Sequence, residues 1–304
     1  MGLFKKSKKE ENEPVLEQDL TQGDVRPGMV FAMQLLMKEK CEMPAREDML
    51  SALGKRLGEV ECFTYDEKMA GFAPKKYTAE FKEGAMPPML VAMGCTEREE
   101  NDIDALTRSQ MWDCKNADEI LSSCKYMVLA SDMLGGAIKD YKERADMLMD
   151  YMEALMEIYP QCEAVLITFS GKLFSREQIV NHTIPRKDRF IYFGVNVRFF
   201  RINGTEDDMM VDTLGMGTLY LPDLQYHFHG MDPNWVIDHA YNLLSYIYDN
   251  DAPIKDGETI DGIADGHIDK NVYWKCHYED ALIQPMRSVM DICMNEYAAG
   301  KRDY

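Results

Sequence analysis

The chain lacks paired cysteines. Its eight cysteines stand singly at positions 41, 62, 95, 114, 124, 162, 276 and 293, and no C-x-x-C occurs. Zinc-finger and thioredoxin-type motifs therefore have no support. At 304 residues the chain is long enough to fold without cross-links. Several thiols sit in or beside apolar runs, as Cys162 does ahead of Ala164, Val165, Leu166 and Ile167. They read as reduced core residues of a cytoplasmic protein.

Long apolar runs are also missing, so no membrane span is expected. The basic start at 1–9 is not followed by the apolar region of a signal peptide. Lys6 stands where a myristoylation pattern needs serine or threonine. No G-x-S-x-G elbow is present, which leaves an α/β-hydrolase without its nucleophile turn. Ser170, Gly171 and Lys172 follow a strand pattern, but Leu166 and Leu173 occupy places where a phosphate loop needs glycine and Ser/Thr. Positive charge is scarce, with 34 Lys and Arg against 53 Asp and Glu, a net charge of −19. Such a surface repels phosphate, which argues against nucleic acid and anionic membrane as ligands and favours a basic protein partner.

What is present is an ordinary globular composition, 46% apolar, with 24 methionines that suit irregular core packing. Residues 1–26 are charged and poor in apolar groups, and read as a disordered tail. Residues 27–304 read as one large domain with sub-units at about 27–98, 99–186 and 187–304. The first sub-unit runs strand (30–37), helix (44–57), then strands near 60–65, 69–81 and 89–93. The middle one holds a short helix (117–124), a buried strand (126–131), a long helix (139–159), a strand (164–169) and a short helix (176–181). Tyr141, Ala145, Leu148, Met152, Leu155 and Tyr159 form the buried stripe of the long helix. The third repeats the first in outline: a strand (209–221), a helix capped by Asp232 with Pro233 in its first turn, and strands near 258–263 and 272–278. Residues 288–294 fit strand or helix. The expected class is α+β, a largely antiparallel sheet covered on one face by helices, with two strand-helix-strand-strand units in pseudo-duplication.

The third sub-unit resembles a known family. Leu214 to Gln225 (with Gly215, Gly217, Pro222 and Asp223), Asp232 to Val236, Asn242 to Tyr246, and Ile254 to Gly262 together resemble the bacterial domain of unknown function DUF4261, over about 213–277. The strand from Val197 to Gly204 resembles its upstream flank. The resemblance implies a fold and a bacterial cytoplasmic origin, and implies no catalytic residues.

Candidate chemistry must come from the residues themselves. His227 and His229, two apart on a strand, point to one face and suit a divalent metal, with His239, Asp223 or Asp232 as a third ligand. The alternation with Tyr226 and Phe228 equally fits a half-buried strand end. Arg198 and Arg201 face opposite sides of their strand, and one of them is expected to pair with a carboxylate, such as the acidic turn at 206–208. Asp232, Trp235, His239 and Asn242 rise along one helix edge and are placed as the wall of a cleft shared with His227 and His229. The ligand-binding candidates are thus Arg198, His227, His229, Trp235, His239 and Asn242. The leading expectation is a cytoplasmic binding or protein-interaction module, immunity-like or regulatory, without a cofactor. The alternative is a metal-assisted hydrolase built on His227, His229 and His239. A third reading is a small-ligand sensor using Arg198.

Overall fold

A computed structural model describes residues 18–19, 28–99 and 102–302. The tail assigned to 1–26 lies outside the described residues, apart from Gln18 and Asp19. The first sub-unit comprises β1 (Ala32–Met37), α1 (Arg46–Leu57), β2 (Val60–Tyr65), β3 (Met69–Pro74), β4 (Ala79–Phe81), β5 (Gly84–Met86), β6 (Met89–Met93) and β7 (Thr96–Glu97). The middle contributes α2 (Ala105–Ser109), α3 (Ala117–Ser123), β8 (Tyr126–Met133), α4 (Tyr141–Ile158), β9 (Ala164–Ile167), β10 (Lys172–Ser175), α5 (Arg176–Val180) and α6 (Arg189–Gly194). The last third holds β11 (Asn196–Arg201), β12 (Met209–Leu214), β13 (Asp223–Phe228), α7 (Pro233–Asp249), β14 (Thr259–Ala264), β15 (His267–Asp280) and β16 (Ser288–Cys293).

Two large sheets and a separate two-stranded β4-β5 ladder result, and the fold is α+β as expected. The larger runs β10-β9-β1-β8-β6-β3-β2 with β7 beside β8, all antiparallel. The smaller runs β11-β12-β13-β16-β15-β14, with β13 and β16 parallel and the other pairs antiparallel. The duplication is visible in the topology. β13-α7-β14-β15-β16 and β1-α1-β2-β3-β6 both run strand, helix, three strands, and in both the last strand returns parallel to the first. In the larger sheet β8 stands between them, antiparallel to each.

The repeat begins later than the pattern implied. The stretch 209–221 is not one strand: it breaks at Gly215, whose φ is +146° and where a Cβ would sit 2.5 Å from the Gly194 carbonyl oxygen. Only glycine fits there. The residues 288–294, ambiguous in sequence, form interior strand β16.

Alternation along the strands builds the core. Met33, Leu35 and Met37 of β1 join one apolar cluster with Leu224, Tyr226 and Phe228 of β13, together with buried residues of α1, α4 and α7. α4 is buried almost all round, well beyond its predicted stripe. The segment from Met111 into α3 also reaches the second face of the larger sheet: Met111, Cys114 and Ile120 cover Leu36, Leu166 and Leu173.

Arg144 of α4 ties the halves together. Its guanidinium meets Asp132 of β8 at 3.1 Å and donates to the Thr218 carbonyl beside the smaller sheet. Both side chains are buried, and burial pushes the Asp132 carboxyl up against the pull of Arg144. Gly135 leaves room for the pair, since a Cβ there would lie 1.8 Å from Asp132 Oδ2. Arg144→Met strands a buried carboxylate and is expected to cost about 3 kcal/mol in urea unfolding. The exposed Arg201→Ala serves as control and should change stability by no more than about 0.5 kcal/mol. Equal losses in the two variants would remove the bridging role from Arg144.

Candidate functional site

The outward face of the smaller sheet carries charge, yet it is buried. The strand registers place Arg198, Asp212, Gln225, Asp291 and His277 in one row across five strands. Asp212 takes two charge-assisted bonds from Arg198 (2.8 and 2.6 Å) and one from Arg287 (2.6 Å). The Gln225 amide donates to Glu279 and Asp291, each at 2.9 Å. Arg302 pairs with Asp291 at 2.9 Å. Gln18 and Asp19 close over the row, with Gln18 donating to Asp291 at 3.0 Å and the Asp19 carbonyl accepting from His277 at 2.8 Å.

Glu279 is strongly perturbed in this face. Burial and the neighbouring Asp291 carboxylate push it up to about 7, against the pull of the Asp19 N–H, Arg302 and His277.

The predicted site residues divide between two faces. His227 points outward and is buried, with Nδ1 accepting from Arg302 at 3.1 Å. His229 lies just past the end of β13, half-buried, its backbone N–H bonded to the Tyr297 carbonyl at 2.8 Å. His239 is on the other side of the sheet, on the buried side of α7. Its Nε2 must donate to the Asp261 carbonyl (2.9 Å), so Nδ1 accepts from Tyr226 (3.0 Å). Burial pushes its pKa down, which keeps the ring neutral. Both nitrogens are engaged, and the sheet separates this ring from His227. The proposed metal trio is therefore not assembled, because neighbouring strand positions point to opposite faces. Among the described residues, no three His, Cys, Asp or Glu side chains converge to hold a metal.

Trp235 covers the β14–β15 turn, where a Cβ on Gly266 would lie 2.9 Å from its ring. Asn242 is exposed and donates back to the Asp238 carbonyl at 2.8 Å. His239 and Asn242 do share a cleft, of about 360 Å³, but its other walls include Tyr246, Thr259 and Ile268 rather than His227 or His229. Arg198 is buried with Asp212, not with the acidic turn at 206–208, and borders a second cleft of about 380 Å³ with Gln110, Ser170, Asn196 and Gln284. Lys172 belongs to a hairpin strand, so the turn before it is no phosphate loop.

An open apolar face on the larger sheet has no counterpart in the sequence pattern. The stretch 126–131 reads as a buried strand, yet Leu129 is 37% exposed, and Met133 at the end of the longer β8 is 50% exposed. Beside them on β6, Met89 and Val91 pair with Met133 and Ser131, and Met93 is 37% exposed. Phe63 of β2, 44% exposed, lies across Gly71, where a Cβ would come within 2.4 Å of its ring. Gln34 sits opposite Leu129, and its buried Oε1 accepts no hydrogen bond among the described groups. A solvated sheet face normally alternates to polar residues, and this one does not.

With the fold in view, the comparisons locate one part of the chain. Residues 212–293 match the family model of DUF4261, a domain of unknown function. The DUF4261 segment thus runs from within β12 through β16, one strand further than the resemblance over 213–277 suggested. It takes in Asp212, Gln225, Glu279, Arg287 and Asp291, the centre of the buried polar row. No curated protein and no solved structure matches the chain.

The polar row generates a pH test. Folding raises Glu279 from an ordinary 4.5 to about 7, so between those values the folded state alone keeps the proton. Its contribution to stability is complete at low pH and is lost as pH rises through about 7. Urea unfolding at pH 5 and pH 8 should show a larger loss in the parent than in Glu279→Gln; parallel profiles would sink the assignment.

Proposed function

We propose that this protein is a binding module whose partner is a basic protein docked on the open apolar face of the larger sheet. One observation carries the reading: Phe63, Met93, Leu129 and Met133 are all more than a third exposed on adjoining strands. Contiguous exposed apolar surface marks interaction sites. The net charge of −19 favours a basic partner and speeds its approach. An immunity-type or regulatory role in the bacterial cytoplasm suits such a module, and eight free cysteines fit a reducing compartment. The hydrolase alternative has lost its support, since it needs His227 and His239 on one side of the sheet.

A second reading keeps Arg198 as part of a small-ligand site. The cleft beside it includes Ser170, whose buried hydroxyl has no hydrogen-bond partner among the described groups.

Leu129→Glu and Met133→Glu test the docking reading. Each should stay folded, within about 0.5 kcal/mol of the parent, while weakening partner binding by about 100-fold or more, as a hot spot requires. The partner is to be identified by cross-links that map to this face. Unchanged binding in both variants would defeat the proposal. So would sedimentation showing that the face is occupied by a second copy of the chain.

A further inference from the structure

Sulfur atoms gather where β1 and β6 end on the larger sheet. Cys41 follows β1 and Cys95 follows β6. Cys41 Sγ lies 3.3 Å from the thioether sulfur of Met37, and Cys95 lines one depression together with Cys41. Met37 is fully buried, whereas both thiols are half-buried and open onto a depression of about 900 Å³. Met43 lines the same depression, its sulfur held at 3.7 Å by the Tyr159 hydroxyl. Glu42, Asp66 and Glu67 outnumber Lys40 and Lys68 around the opening, which favours entry of a cation.

We infer that Cys41, Cys95 and Met37 form a binding site for a soft monovalent metal ion of the Cu(I) class. Thiolate and thioether donors together select such an ion, whereas magnesium and calcium take oxygen ligands. Zinc would call for further thiolate, imidazole or carboxylate ligands, and among the described residues no third group of that kind joins the two thiols. Three sulfurs sharing one ion at metal–sulfur distances of about 2.3 Å stand roughly 4 Å apart. The 3.3 Å contact between Cys41 and Met37 needs only a small expansion to meet that spacing.

The binding step balances simply. One M⁺ meets two thiols, two metal–thiolate bonds form, and two protons leave to solvent. Nothing is oxidised or reduced. Burial and the neighbouring Cys95 push the Cys41 thiol up to about 11, so without an ion it rests protonated and reacts slowly with disulfides. The metal's own charge displaces the proton.

The test is an anaerobic titration of the full chain with Cu(I) against a chromophoric competing chelator. One ion per chain should be retained, with two protons released. Cys41→Ser and Cys95→Ser should each lower affinity by more than ~100-fold, beyond the 10–100-fold typical of outer-shell changes, and Met37→Leu by ~10-fold. Cys62→Ser should bind as the parent does. X-ray absorption of the loaded parent should show sulfur neighbours alone, an outcome independent of whether the variants fold. Failure of the parent to hold Cu(I) against the chelator overturns the inference. So does undiminished binding by a folded variant carrying both Cys41→Ser and Cys95→Ser, or nitrogen and oxygen coordination in the spectrum.

Discussion

Charge buried on the outward face of the smaller sheet must be matched inside the protein, and much of the architecture follows from that need. Asp212 and Asp291 are fully buried, a state tolerated only with paired, hydrogen-bonded partners. Arg287 reaches Asp212 from the loop after β15, and Arg302 reaches Asp291 from beyond β16. Gln18 and Asp19 come from the opposite end of the described chain. The two segments flanking β16 and one from the opposite end of the described chain are thus held on one sheet face by the same row of side chains. The match to DUF4261 covers the strands that carry the centre of this row.

The two faces of that sheet do different work, and the histidines show how. Tyr226 and His227 are chain neighbours, but one hydrogen-bonds His239 of α7 while the other meets Arg302 outside. Each imidazole completes a local polar network. The larger sheet solves its second face differently. The α2–α3 connection and α3 cover the region around β9 and β10, and the strands from β8 to β2 keep exposed methionine, leucine and phenylalanine side chains. The apolar opening and the acidic surface together are what a basic partner would recognise.

Much of the fold was legible because local physics set it. Asp232 caps α7 by accepting from Asn234, Pro233 occupies its first turn, and Gly58 follows α1 at a φ of +78°. The stripe of α4 predicted its buried side. Strand ends were harder: the break at Gly215 depends on the approach of Gly194, a tertiary contact. The site was less legible still. Spacing alone put His227 on one face of a strand, but its partner lies 75 positions away. One signal was available and passed over. Single aspartates inside apolar strands, Asp212 between Val211 and Thr213 and Asp291 between Met290 and Ile292, mark buried charges that need arginines. The open face of β8 left no such mark, since Leu129 and Met133 look the same in a buried strand as in an exposed one.

The parallel pairing of β13 with β16 has a consequence for how the chain reaches this state. β16 comes after every other strand of the smaller sheet, yet it sits in the interior, between β13 and β15. Until residues 288–293 are in place, β13 and the β14–β15 hairpin each present an unpaired edge, and the sheet stays in two pieces. During synthesis on the ribosome, the smaller sheet must therefore wait for the segment that joins its halves, while β1 to β10 already have all the strands of the larger sheet.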